Sequence, residues 1–289
     1  MTTLININGQ ITFPENALIS VFDHGFLFGD SVYEVVVTHK GKLFTLKEHL
    51  KRLRESAQAI SLKIPFSDKY ITEEIQKTII AAKNDESYVR IVITRGVGEI
   101  HISPDSCLSP TMILYVKKAE KYPEEYYSKG IEISLVSIKR NLKYSLNPTI
   151  KTGNYLNSVL AIIEAKKYGS MDGLMLNSEG FVSECTTSNI YIVKNGIVKT
   201  PHPDCGILIG ITRKLVIELG RENGIIIEES QIRPEEIQTA EELFITSTTK
   251  GVMPVTLLDG QKVGNGKPGA ITTKLRSLFI EKLDKAIEE

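Results

Sequence analysis

Four short stretches of this sequence place a charged or hydroxyl-bearing side chain where a strand or loop gives way to a helix or turn. In NPTIKTGNYLNSVLAIIEA, which starts at Asn147, Lys151 lies between a proline and a glycine, and Leu156, Val159, Leu160 and Ile163 recur behind it at helical spacing. A lysine becomes an amine nucleophile when partial burial or a nearby cation lowers its pKa, and the positive end of a helix dipole acts in the same direction. The plainer reading is a solvated lysine at a helix entrance, since lysine is seldom buried. In GILIGITRKL a glycine-flanked loop enters a helix, leaving the N–H groups of Ile211 and Thr212 and a threonine hydroxyl to hold a phosphate, or simply forming an ordinary capped loop. In FVSECTTSNIYIV, Glu184 ends a β pattern and the chain re-enters a strand at Asn189. A carboxylate there would face a buried cation or a protonated ring nitrogen, or else sit exposed in a turn. ELFITSTTKGVMPV closes an apolar strand with hydroxyl residues from Thr246 to Thr249, suited to phosphate or carboxylate oxygens, or to plain solvation. Arg52, in EHLKRLRES, could pair with Glu48 at i−4 or grip a phosphate through its bidentate guanidinium.

Regular elements must hold these groups. SVYEVVVTHKGKLFTL reads as a hairpin turning at Lys-Gly. A helix follows with Leu46, Leu50, Leu53, Ala57 and Ile60 on one face, and Thr45 and Glu48 have capping-box spacing at its start. YITEEIQKTIIAAKN is a second amphipathic helix, and YVRIVITRG and TMILYV read as buried strands. KKAEKYPEEYYSKG, charged and without apolar periodicity, is the candidate linker. Beyond it come a strand (IEISLVSI), the helix after Lys151, hairpins in DGLMLNSEGFVSE and SNIYIVKNGIVKT, the second turning at Asn195-Gly196, and a helix stopped near Gly224. The expected fold class is α+β, with two lobes of mainly antiparallel sheet and packed helices: a smaller lobe over 1–120, a linker over 121–128, and a larger lobe over 129–289 carrying Lys151.

With 42% hydrophobic residues the chain has material for a real core, and equal numbers of basic and acidic residues (35 each) remove the electrostatic case for nucleic acid or an anionic membrane surface. No apolar run approaches the roughly 20 residues that cross a bilayer. Neither the three cysteines (Cys107, Cys185, Cys205) nor the five histidines have metal-ligand spacing. These features predict a reduced, cytoplasmic, metal-free protein.

Taken in order, FDHGFLFGDSVYEVV, EHLKRLRESA, IKTGNYLNSVLA, GFVSECTTSNIYIV, GILIGITR and LFITSTTKGVMPV resemble the class IV (fold type IV) pyridoxal-phosphate enzymes, and the resemblance spans nearly the whole chain. That family contains branched-chain aminotransferases, D-amino-acid aminotransferases and aminodeoxychorismate lyases. The resemblance implies that Lys151 forms the covalent link with the aldehyde of pyridoxal 5'-phosphate and then shuttles the substrate Cα proton. Glu184 would keep the pyridine nitrogen protonated. Arg52, the N–H groups of Ile211 and Thr212, and Thr248 would hold the phosphate. Tyr155 would hydrogen-bond the phenolic oxygen, Leu208 would pack on the ring, and Asn189 would complete the cofactor set.

For the substrate, the resemblance implies Tyr33, Tyr88, Arg90 and Thr249, with the Thr248-Thr249 loop supplying N–H groups to a carboxylate. Tyr155 and the YVR of Tyr88 to Arg90 look like the branched-chain enzymes. Val35 and Val37 are closer to the D-amino-acid enzymes, yet RGVGEIHISP has His101 but Glu99 where their carboxylate-trapping arginine would fall. GVMPV is closer to the lyases. The leading expectation is transamination of branched-chain amino acids with 2-oxoglutarate by a homodimer. The alternatives are a D-amino-acid aminotransferase, a lyase releasing pyruvate from aminodeoxychorismate, and a binding protein that kept the fold without catalysis.

Overall fold

The computed structural model describes residues 2–286, and its contacts divide the chain into two units. Residues up to Glu120 together with Ile150–Asn154 form the first; Lys121–Thr149 and the chain from Tyr155 onward form the second. Lys151 therefore groups with the N-terminal unit, whereas the sequence reading put it in the C-terminal lobe. The reason is backbone pairing, described below, that no local pattern reveals.

The first unit comprises β1 (Leu4–Ile7), β2 (Gln10–Thr12), α1 (His24–Phe28), β3 (Ser31–His39), β4 (Lys42–Leu43), α2 (Leu46–Ala59), α3 (Asp68–Ala82), β5 (Ser87–Thr94) and β6 (Thr111–Lys118). Its sheet runs β2-β1-β6-β5-β3-β4, antiparallel throughout. Side chains alternate across a strand, so Val32, Glu34 and Val36 of β3 share a face with Val89, Ile91 and Ile93 of β5, while Tyr33, Val35 and Val37 share the other with Tyr88, Arg90 and Val92. The first face is the core: Val32, Val36, Leu53, Ile71, Ile75 and Ile91 pack there with no more than trace exposure. Each contributes about 1.5–3 kcal/mol of burial. The β3–β4 turn is at Lys40-Gly41, both with positive φ, as expected. The capping box at Thr45 and Glu48 does not form: Thr45 has φ 52°, and its side chain makes no cap hydrogen bond.

The second unit comprises α4 (Glu124–Ser128), β7 (Ile131–Leu135), α5 (Leu156–Lys167), β8 (Asp172–Leu176), β9 (Val182–Cys185), β10 (Asn189–Lys194), β11 (Ile197–Pro201), α6 (Ile211–Glu222), β12 (Ile227–Ser230), α7 (Pro234–Gln238), β13 (Glu242–Ser247), β14 (Gly251–Leu258), β15 (Gln261–Lys262) and α8 (Ala270–Lys285). The candidate linker is thus partly helical, and its contacts assign it to this unit. The sheet runs β12-β11-β10-β13-β14-β7-β8-β9, with β15 paired to β14. It is mainly antiparallel, with parallel pairs at β11–β12, β14–β7 and β7–β8. The β10–β11 hairpin turns at Asn195-Gly196, both at positive φ.

One helix departs from the usual arrangement. The stripe of α5 that made it readable, Leu156, Val159, Leu160 and Ile163, is exposed, while Ser158, Ala161 and Ala165 face the sheet. Gly173 on β8 explains the close approach: a Cβ there would lie 3.0 Å from the carbonyl oxygen of Ala161 and 3.2 Å from the Cβ of Ala165.

Candidate active site

In the first unit the extended segment around Lys151 pairs with the edge of β3. The Tyr33 N–H donates to the Lys151 carbonyl (3.0 Å), the Gly153 N–H donates to the Ser31 carbonyl (2.8 Å), and Val32 and Thr152 form an antiparallel bridge. On the other side, the Lys151 N–H donates to Ser56 Oγ on α2 at 3.2 Å. The lysine backbone is thus clamped between a strand and a helix. Its ammonium lies 4.4 Å from the centre of the Tyr33 ring, and the Arg90 guanidinium carbon lies 3.9 Å from the same centre. Both distances are within cation–π range. Tyr88 shares that sheet face, with the Lys117 ammonium 5.6 Å from its ring centre.

Arg52 sits four residues before Ser56, on the same side of α2. It is tied into the core by Glu34, a residue of β3. Its Nε and Nη2 donate to the two oxygens of Glu34 at 2.6 and 2.9 Å, and His49 Nδ1 donates to Glu34 Oε2 at 2.7 Å. Glu34 is fully buried. Burial alone would push its carboxyl up, but the Arg52 charge and the hydrogen bonds from Arg52 and His49 outweigh it and hold the pKa at about 2. For His49, burial holds the imidazole below its usual range against the pull of Glu34, and the positive charges of Arg52 and Lys151 add to the depression. A fixed guanidinium is the result, since two of its N–H groups are committed to a carboxylate that cannot leave the core.

In the second unit Glu184 closes β9 and is buried. Its Oε2 accepts from Asn189 Nδ2 (3.2 Å) and from the Leu208 N–H (3.0 Å), and Oε1 lies 2.8 Å from Nη2 of Arg140. Asn189 Nδ2 also donates to the Leu208 carbonyl at 2.9 Å, locking the strand to the loop that leads into α6. At the end of that loop Gly210 is the N-cap of α6, with no side chain capping the helix, so the N–H groups of Ile211 and Thr212 begin it uncapped. Gly210 is required by space: a Cβ would meet Asn189 Oδ1 at 2.1 Å. Thr248 and Thr249 lie in the turn between β13 and β14, half-buried, with Ser247 Oγ 3.5 Å from Thr249 Oγ1. Asn189 pairs with Thr246 across β10 and β13, so the turns carrying Glu184 and Thr248 lie at one end of the sheet. Tyr155, the residue before α5, lines a cavity of about 290 Å³ with Ser158, Val159, Asp172, Thr187 and Lys250.

Sequence reasoning singled out Lys151, Arg52 and Glu184 but missed what holds the last two. Glu34 was hidden in a β-branched strand, and its signal was the His49/Arg52 pair one turn apart on the following helix. Arg140 lies in a loop with no pattern to mark it. Lys250 and Asp172, buried and 3.3 Å apart, were passed over in a hydroxyl-rich loop and a hairpin.

Residues 31–258 match the family described as amino-transferase class IV, and the chain belongs to that family. It is an aminotransferase with the fold of the solved class IV enzymes. A putative branched-chain-amino-acid aminotransferase of Methanocaldococcus jannaschii is 40% identical over 95% of this chain and 94% of its own length. A D-alanine aminotransferase of Listeria monocytogenes is 32% identical over 98% of this chain and 97% of its own. Among solved structures, the branched-chain amino acid aminotransferase of Escherichia coli superposes with a TM-score of 0.93 at 28% identity, covering 97% of this chain and 94% of that one. The branched-chain amino acid aminotransferase of Thermobaculum terrenum, solved in its PLP form, gives 0.86 at 29%, over 97% and 93%.

Proposed function

We propose that this aminotransferase uses pyridoxal 5'-phosphate to move the amino group of branched-chain amino acids to 2-oxoglutarate. The observation that supports the amino donor is the 40% identical relative named as a putative branched-chain-amino-acid aminotransferase, against 32% for the D-alanine enzyme. The residues present suit the cofactor. An uncapped helix start behind an obligatory glycine offers N–H donors to a phosphate, and the buried Nε of Arg140, orphaned beside Glu184, marks a strongly polar interior.

In this reading Arg52, the N–H groups of Ile211 and Thr212, and the Thr248 hydroxyl hold the phosphate. Glu184, oriented by Asn189 and Arg140, holds a proton at the pyridine nitrogen. The Tyr155 hydroxyl donates to the phenolic oxygen, and Leu208 packs on the ring. The cofactor supplies an electron sink for charge at the substrate Cα. Lys151 Nζ would take the proton from Cα and deliver it to the cofactor carbon that takes up the amino group, and would carry a proton the opposite way, to Cα of the acceptor, in the second half-reaction. The N–H groups around Thr248-Thr249 bind the substrate carboxylate, and Tyr33, Tyr88 and Arg90 line the pocket for the rest. A homodimer is part of the proposal, supported by the exposed apolar stripe on α5: Leu160→Glu should convert a dimer to a monomer in light scattering. Cytoplasmic residence is proposed with it, supported by three free cysteines.

The test is spectroscopic, then kinetic. The purified protein should be yellow, and Lys151→Ala should lose its visible band; a wild type that stays colourless with added cofactor would sink the reading. In an amino-donor screen L-leucine should be active. Turnover of D-alanine with none of L-leucine would overturn the substrate assignment, as would pyruvate release from aminodeoxychorismate without an oxo acid.

A further inference from the structure

Lys250 has a setting that the cofactor and substrate roles above do not use. Its side chain is 7% exposed, and its ammonium donates to Thr187 Oγ1 and Ser188 Oγ, both at 2.9 Å, and to Asp172 Oδ2 at 3.3 Å. An ammonium has three N–H donors, so this one is saturated by protein. The pair is anchored on each side. Asp172 Oδ1 accepts from the N–H of Thr186 (3.0 Å), the Thr186 hydroxyl (2.5 Å) and the Gly173 N–H (2.9 Å). The Lys250 N–H donates to Ser247 Oγ (3.2 Å), and its carbonyl accepts from Tyr127 on α4 (3.0 Å).

The ion pair therefore ties two turns and a strand. One turn, Cys185 to Ser188, separates Glu184 from Asn189; the other, Ser247 to Lys250, contains Thr248 and Thr249. Both border the cavity that Tyr155 lines. A buried ion pair is a weak source of stability, because desolvating two charges offsets their attraction, and a well-packed apolar pair is often as stable. What such a pair does supply is a unique geometry: displacing the Lys250 turn separates charges in a medium of low polarity, and displacing the Cys185–Ser188 turn breaks the hydrogen bonds by which Thr186, Thr187 and Ser188 hold the two charged groups.

We propose that Lys250 and Asp172 are positioning residues that hold the Glu184 turn and the Thr248-Thr249 turn in register, so that the ring-nitrogen carboxylate and the anion-binding hydroxyls meet cofactor and substrate carboxylate together. The inference rests on the functional reading above.

The experiment compares wild type with K250M/D172N, which removes both charges and leaves neither buried alone, and with K250M. Equilibrium dialysis measures the Kd for pyridoxal phosphate, steady-state assays give kcat and KM for L-leucine, and melting of the apoproteins reports folding. The expected result for K250M/D172N is a Kd and a KM each raised about tenfold, with kcat lowered several-fold as the Glu184 turn loses register but far less than in Glu184→Gln. Its apoprotein should melt within a few degrees of wild type, and K250M, which strands Asp172, should melt lower than both. Unchanged Kd and KM in a wild type and a double variant that both bind the cofactor would overturn the inference alone. A loss of binding fully matched by a loss of apoprotein stability would also overturn it, leaving the pair a mere brace. A wild type that takes up no cofactor would refute the functional reading, and the inference with it.

Discussion

Replacing Glu34 by glutamine keeps the size and one acceptor oxygen of the side chain but removes the charge that Arg52 and His49 are built around. Three side-chain hydrogen bonds converge on this carboxylate at 2.6, 2.7 and 2.9 Å in a fully buried site. Its pKa falls from 4.5 to about 2. At about 1.4 kcal/mol per pKa unit, that shift corresponds to roughly 3 kcal/mol of stability at neutral pH. The figure agrees with the roughly 3–5 kcal/mol lost when one member of a buried pair is removed. Because the folded pKa is the depressed one, this stability is fully present above the unfolded pKa and is lost as pH falls through the folded value. The gap between wild type and E34Q should therefore be about 3 kcal/mol at pH 7, shrink by about 1.4 kcal/mol per pH unit below about pH 4.5, and close near pH 2. Urea unfolding followed by far-UV circular dichroism at pH 7.0, 4.5 and 3.5 would measure it; the chain has no tryptophan to serve as a probe. A gap under about 1 kcal/mol at pH 7, or one that does not narrow on acidification, would refute the assignment of Glu34 as an ionised anchor.

The remaining expectations concern the same two clusters. His49 is depressed by burial, so the unfolded chain binds its proton more readily; stability should rise with pH through the ordinary histidine range, and H49Q should flatten that rise in pH-dependent melting curves. Glu184→Gln should lower kcat for L-leucine by about 100-fold or more, a proton-holding role lost, and should also lower the melting temperature because an amide presents donors to Arg140, Asn189 or the Leu208 N–H. Gly210→Ala drives a Cβ into Asn189, so it should cost about 1–3 kcal/mol in denaturant titrations and weaken retention of pyridoxal phosphate in dialysis.

How much of the molecule was legible in its sequence depended on sequence distance. The Lys40-Gly41 and Asn195-Gly196 turns were legible because a two-residue turn states its backbone angles in its residue types. The capping box at Thr45 was not realised, because four-residue spacing says nothing of the left-handed angle that the chain takes on leaving β4. Arg52 was singled out as a candidate anion-binding cation, but its anchor is Glu34, eighteen residues back on another element, which helical spacing cannot report. Periodicity located α5 and misled about its orientation. The small residues Ser158, Ala161 and Ala165 face the sheet because Gly173 allows the helix so close, and the large ones are left outside. Lys151 was not marked by its own neighbours, which suit a helix-entrance lysine, but by the family resemblance of distant stretches, and the clamp of Tyr33 and Ser56 that steadies it depends on a pairing between segments roughly a hundred residues apart.

The alternation along β3 has a bearing on how such an enzyme can diverge. Glu34 points to the helix-covered face with Val32 and Val36, while Tyr33, Val35 and Val37 point to the face that carries Arg90 and Tyr88. Substitutions at Val35 or Val37, on the face proposed to line the substrate pocket, can thus be made without disturbing the carboxylate that fastens Arg52. An insertion or deletion of one residue between Ser31 and Glu34 is another matter, for it would exchange the two sets, driving a phenol into the core and stranding the carboxylate on the open face. In descendants of this chain, point changes at Val35 and Val37 should be more frequent than changes at Glu34, Val32 or Val36, and changes in the strand's length absent.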